Sequence, residues 1–147
     1  MEVFRSSVLV LPFTASSVGV ARRRLLGDLE EAGVCDSTAC DAGLVLSELV
    51  SNALRHATPL PDHTLKACWQ LGDDSVEIAV TDGGGPTVPT VLEPVGWAVG
   101  GRGLGIVDRL SLHWHVSDVD GETTVWAEIP LRYGGTGSLV AASARDA

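Results

Sequence analysis

The sequence predicts an α+β domain, a two-layer sandwich with helices on one face of a mixed sheet. Three observations carry this. Residues 44–57 place apolar side chains at Val45, Leu49, Val50, Ala53, Leu54 and Ala57, the 3-and-4 spacing of a buried helical stripe. Short apolar or alternating runs at 3–11, 65–71, 76–81, 113–117 and 123–131 read as strands. Between the third and fourth of these lies a glycine- and proline-rich stretch that cannot be one regular element. The resulting order is β-α-α-β-β-loop-α-β-β. A chain of 147 residues suits one domain.

The elements follow in turn. Residues 3–11 are rich in β-branched side chains and end at Pro12, which suits an edge strand. Ser16 or Ser17 is placed to cap the next helix, which runs to about Ala32 and stops at Gly33. Its inward positions are Val18, Ala21, Leu25, Leu26 and Leu29; Arg22, Arg23, Asp28, Glu30 and Glu31 are expected outside. The run Arg22-Arg23-Arg24 reads as a solvated face before it reads as a phosphate or partner contact. Asp36 or Ser37 is placed to cap the central helix, which Pro59 closes. Gly43 within it costs roughly 1 kcal/mol against alanine, so something is expected to pack there closely.

Residues 58–63 form a loop. Two strands then turn at Gly72-Asp73-Asp74, and in the second Val76, Ile78 and Val80 share one side. From 82 to 101 come Gly83, Gly84, Gly85, Pro86, Pro89, Pro94, Gly96, Gly100 and Gly101. Long loops of this kind often serve as lids or binding loops. A short helix resumes at Gly103, with Ile106, Val107 and Leu110 inward. A last hairpin turns at Asp120-Gly121. The domain is expected over residues 1–133, followed by a loose tail over 134–147.

Composition excludes some functions. Net charge is −9, and nine arginines accompany a single lysine, Lys66. A general nucleic-acid surface needs clustered positive charge and is not expected. The acidic balance favours solubility and a basic protein partner. No apolar run is long enough to span a bilayer, and no leader is expected. Cys35, Cys40 and Cys68 lack metal-site spacing and read as reduced thiols, which points to the cytoplasm.

Three stretches carry chemistry. On the central helix Glu48, Asn52 and Arg55 fall at i, i+4 and i+7 and share a face. A carboxylate, an amide and a guanidinium there can place a metal ion and a phosphate, although a solvated polar face is the commoner reading of such a helix alone. Asn52 offers an amide oxygen to Mg²⁺ when phosphates and waters complete the octahedron. Glu48 can deprotonate an attacking hydroxyl or water. Asp82 ends a buried strand and can accept from the exocyclic amine of adenine, with Gly84 letting backbone approach the ring. An ordinary aspartate-glycine turn explains the same residues. Gly101, Arg102, Gly103, Leu104 and Gly105 lead into a helix whose N-terminus suits phosphates. The stretch is not the phosphate loop that ends in Gly-Lys-Ser/Thr, and it does not follow a strand in a βαβ unit. Thr124 can touch the adenine side, or be a sheet threonine only. His56 favours the helix C-terminus; His113 and His115 read as structural.

These residues carry a resemblance. Glu48-Leu-Val-Ser-Asn52-Ala-Leu-Arg55-His56-Ala57 resembles the N box of the Bergerat-fold, histidine-kinase-like ATPases. Asp82-Gly83-Gly84 resembles the G1 box, and Gly101-Arg102-Gly103-Leu104-Gly105 the G2 box. The short length and Thr124-Val125-Trp126 are most similar to stand-alone anti-sigma-factor serine kinases, including the small actinobacterial ones. The resemblance spans roughly residues 8–131. It implies a Bergerat sandwich with a short ATP lid, binding of ATP and Mg²⁺, and transfer of phosphate to a serine of an anti-sigma-factor antagonist. It also implies a sigma factor as partner, a possible homodimer, and no direct contact with nucleic acid or membrane. Glu48 would be the base and Asn52 the metal ligand. Arg55, Asp82, Gly84, the 101–105 stretch and Thr124 would contact nucleotide. The chain departs from the pattern at Pro86, where a second G1 glycine is usual, and at Glu122-Thr123-Thr124, where a lysine often precedes the threonine. The rival reading is an ATP-binding regulator without chemistry.

Overall fold

The computed structural model describes residue 3 and residues 5–85 and 101–134, with side chains from residue 104 onward in the last segment. The elements are β1 (Arg5–Pro12), α1 (Ser16–Glu31), α2 (Asp36–His56), β2 (Thr64–Leu71), β3 (Ser75–Asp82), α3 (Gly101–Leu110), β4 (His113–Val119) and β5 (Glu122–Pro130). They form the expected two-layer α+β sandwich. The expected lid, Pro86 and the tail beyond Gly134 lie outside the described residues.

The sheet has five strands in the order β1-β2-β3-β5-β4. A mixed sheet is expected from the sequence. Every pairing is antiparallel instead. Two helices in succession, α1 and α2, bring the chain back so that β2 opposes β1. The crossover through α3 does make β3 and β4 run the same way, but β5 inserts between them. No two like-directed strands are neighbours.

Alternation decides the two faces. Leu65, Ala67, Trp69 and Leu71 of β2, Val76, Ile78 and Val80 of β3, and Val125, Ala127 and Ile129 of β5 are buried on the helix side. Facing them are Ala21, Leu25 and Leu29 of α1, Val45, Leu46, Leu49 and Val50 of α2, and Leu104 and Val107 of α3, in one core. The other face is open. Its middle row runs Val8, Cys68, Ala79, Trp126, His115 across the five strands. His115 stacks on Trp126 there, with ring centroids 5.8 Å apart. His113 Nε2 lies 3.2 Å from Glu128 Oε1.

Helix ends depart from expectation at the start and agree at the stop. Ser16 and Ser17 do not cap α1; its N-cap is Ala15, and Ser17 Oγ donates to the Pro12 carbonyl. Nor do Asp36 and Ser37 cap α2, whose N-cap is Cys35; both lie inside its first turn. Asp36 still places a negative charge at the positive end of the helix. α1 ends as predicted at Gly33, at φ +85. Val34 N–H donates to the Leu29 carbonyl and Gly33 N–H to that of Glu30, the paired bonds of a Schellman stop. Gly43 is where α1 packs on α2: a Cβ there would lie 3.2 Å from Leu26 Cδ2.

One outward expectation fails inside α1. Asp28 is buried, because it accepts from Trp69 Nε1 at 2.8 Å and from Ser7 Oγ at 2.7 Å. The Arg5 guanidinium lies 3.9 Å from its other oxygen. Helical spacing alone cannot show a carboxylate with donors waiting on two distant strands.

Candidate functional site

Chain direction gathers the predicted residues at one end of the sandwich. α2 begins where Cys35 N–H donates to the Arg132 carbonyl, beyond the end of β5. It finishes against the end of β3, where Thr58 N–H donates to the Gly84 carbonyl and Gly83 N–H donates to the Thr58 carbonyl. α3 finishes at the opposite end of the sheet, where Leu112 N–H donates to the Glu128 carbonyl. Its ten residues span about 15 Å, similar to the roughly 17 Å of strand from Glu128 back to Thr123. The first turn of α3 therefore comes to the end that holds Asp82. α3 starts at Gly101, two residues earlier than predicted, so Gly101 to Gly105 is itself the first helical turn.

On α2, Asn52 is buried, Glu48 half-buried and Arg55 exposed. Asn52 Oδ1 and His56 Nε2 are buried and have no hydrogen-bond partner among the described residues. Unsatisfied buried polar atoms are costly and uncommon. Here the two stand at i and i+4, one turn apart on one face, in line with Glu48. An amide oxygen held this way fits a ligand to a hydrated cation. Among the described residues no three histidines, cysteines or carboxylates cluster to hold a metal by themselves. A cation there would draw its other ligands from phosphates and water. From the sequence His56 reads as a favourable charge at the helix end; its buried Nε2, without a partner among the described residues and one turn from Asn52, adds it to the site.

Asp82 is 4% exposed. Burial pushes its carboxyl above the ordinary value; the Gly84 N–H bond opposes this, and the charge of Asp118 adds to it. That bond, Gly84 N–H to Asp82 Oδ1, is 2.7 Å long. It engages one carboxylate oxygen; the other has no hydrogen bond among the described residues. Gly84 sits at φ +84, and a Cβ on it would lie 2.7 Å from the Gly121 carbonyl. Glycine is thus required there by the β4–β5 turn as well as by any approaching ring.

Thr124 is not beside Asp82. It pairs with Thr81, the two hydroxyls 2.8 Å apart, on the open face of the sheet. Thr123 is the residue opposite Asp82, buried on the helix side, with Oγ1 near Gly84. A shift of one residue along a strand changes the face. Leu104 is 1% exposed and belongs to the core, so only its backbone is available to a ligand. The side chains of residues 101–103, Arg102 included, lie outside the described set.

A buried carboxylate at a strand end, an amide oxygen without a partner among the described residues one turn from a helix end, and a glycine-rich helix start come together in one α+β domain. The chain belongs to the histidine kinase-like ATPase domain family, whose family model matches residues 11–129. No curated protein matches it. It is similar in structure to the RsbU and RsbW domains of Rv1364c from Mycobacterium tuberculosis, with a TM-score of 0.67 and 22% identity over 87% of this chain. The chain spans 33% of that structure, about a third of its length. A second match is the Acinetobacter baumannii histidine kinase AdeS, at TM-score 0.47 and 19% identity, covering 88% of this chain and 70% of that one. Among the described residues no helix is long and apolar enough to cross a membrane.

Proposed function

We propose that this protein binds Mg-ATP and acts as a serine/threonine protein kinase of the anti-sigma-factor type. The observation that carries the nucleotide reading is the pair Asp82 and Asn52. One is a buried carboxylate with one oxygen held by the Gly84 N–H, the other a buried amide whose Oδ1 has no partner among the described residues. Asp82 accepts from the adenine amine, with Thr123 beside it, and His56 lines the same pocket. Asn52 would ligate Mg²⁺, which would offset phosphate charge, and the first turn of α3 would offer backbone N–H groups to phosphate oxygens. Arg55 reaches a phosphate from the exposed side of the helix. Glu48, one turn before Asn52, takes the proton of the attacking serine hydroxyl as the phosphoryl group transfers.

The partner reading rests on the resemblance of the three boxes to stand-alone anti-sigma-factor kinases. The substrate is a serine of an anti-sigma-factor antagonist, and a sigma factor is held when that antagonist is phosphorylated. Pro86, standing where a G1 glycine is usual, favours a second reading, a regulator that binds ATP without transferring phosphate.

Calorimetric titration with ATP, with and without Mg²⁺, tests the first step. Binding that tightens with Mg²⁺ is expected, and no binding at millimolar ATP would sink the nucleotide reading. Glu48→Ala then separates the two functions: it retains ATP binding and stops phosphotransfer if Glu48 is the base.

A further inference from the structure

The turn after α2 is bonded to the strand end that carries Asp82. Thr58 N–H and Thr58 Oγ1 both donate to the Gly84 carbonyl, at 2.7 and 2.8 Å. Gly83 N–H donates back to the Thr58 carbonyl at 2.8 Å. A carbonyl oxygen has two lone pairs, and Thr58 supplies a donor for each. The other side of the same residue is held as well, since Gly84 N–H donates to Asp82 Oδ1. Gly84 is therefore held at its carbonyl by Thr58 and at its N–H by Asp82, and the Gly121 carbonyl leaves no room for a side chain on it.

We propose that Thr58 is a positioning residue of the base pocket. Its hydroxyl orients the Asp82 carboxylate through Gly84, and so sets preference for a purine that bears an exocyclic amine. This rests on the adenine-nucleotide reading above. Asp82 has one oxygen on Gly84 N–H and one left to accept from the base. Where that second oxygen points depends on where Gly84 points its N–H. Any rocking of Gly84 about its neighbouring peptides swings the carboxylate with it. The backbone bonds of Thr58 survive substitution, so removal of the hydroxyl loosens Gly84 without opening the turn. The Thr58 side chain is otherwise exposed and contributes nothing to the core.

The test titrates the full chain with ATP and with purine riboside triphosphate, the same nucleotide with hydrogen in place of the amine. The wild type is expected to prefer ATP. Thr58→Val should weaken ATP binding about three- to tenfold, the worth of one hydrogen bond, and leave purine riboside triphosphate within about twofold. Thr58→Ser should regain the ATP affinity. A merely structural role would weaken both nucleotides alike, and that result overturns the proposal, as does unchanged ATP binding by Thr58→Val. A wild type with no preference for ATP would overturn the Asp82 reading itself, which separates the two failures.

Discussion

Trp69 Nε1 donates to Asp28 Oδ2 at 2.8 Å and ties β2 to α1 inside the core. Ser7 Oγ donates to the same oxygen, so a carboxylate is made tolerable in an apolar layer by donors from two strands. Arg5 also pairs with Glu31, which anchors the start of β1 to the last turn of α1. Trp69→Phe keeps an aromatic ring and deletes the N–H. It should cost about 1.5–3 kcal/mol, the range for a hydrogen bond to a charged group. Urea unfolding would show a lower midpoint at unchanged slope. An unmoved midpoint would mean that Ser7 and Arg5 satisfy Asp28 alone.

Asp82→Asn should separate stability from binding. The raised carboxyl pKa means that the folded chain holds this proton more tightly than the unfolded chain does. Ionisation then costs stability as pH rises from the ordinary carboxylate range, about 4, through the raised value. The asparagine variant carries no such cost. Its Tm should exceed that of the wild type near neutral pH, and the gap should close as pH falls toward about 4. Adenine nucleotide binding should be lost at the same time. Scanning calorimetry at the two pH values and one ATP titration decide both parts; a variant less stable near neutrality would contradict the sign.

The two threonines of β5 should behave differently. Thr123 faces Asp82 on the helix side, and Thr124 faces Thr81 on the open side. Thr123→Val should weaken ATP about tenfold or less, in proportion to one polar contact, while Thr124→Val leaves the affinity unchanged. The reverse ranking would return Thr124 to the site.

Two glycine-to-alanine changes should have opposite signs. At Gly83 a Cβ would stand 2.2 Å from the Pro59 carbonyl oxygen, so backbone has to move. Gly83→Ala should cost more than about 2 kcal/mol. At Gly27, inside α1, a Cβ meets nothing within 4 Å. Gly27→Ala should stabilise by about 0.5–1 kcal/mol through helix propensity. Chemical denaturation of the pair reads both effects.

The sequence made local features legible and long-range ones opaque. The stripe of α2 was readable because Val45, Leu49, Val50 and Ala53 repeat with the helix, and all are buried. The last hairpin was readable from Asp120-Gly121, which take φ +54 and +82 as a tight turn requires. Asp28 was misread because its partners lie 21 and 41 residues away. The face of Thr123 follows from alternation with Val125, Ala127 and Ile129, but its place opposite Asp82 depends on the β3–β5 register, which nothing local fixes. The place of β5 in the sheet was hidden for the same reason: adjacency in sequence suggests its pairing with β4 but not with β3. Asp82, Asn52 and the 101–105 turn were legible as types and spacings, whereas His56 and Thr58 needed the orphaned atom and the bonded turn to be seen.

The strand inserted between β3 and β4 has a consequence for synthesis. Among the described strands β5 leaves the ribosome last, yet both its neighbours need it. Until residue 130 has emerged, β4 has no partner and the sheet stops at β3. A nascent chain halted before Glu122 would present a three-stranded sheet and a lone β4, with the backbone N–H and C=O groups of the β3 edge unpaired. The strand that closes the sheet also brings Thr123 to Asp82, so the proposed nucleotide pocket would be completed by the same late step.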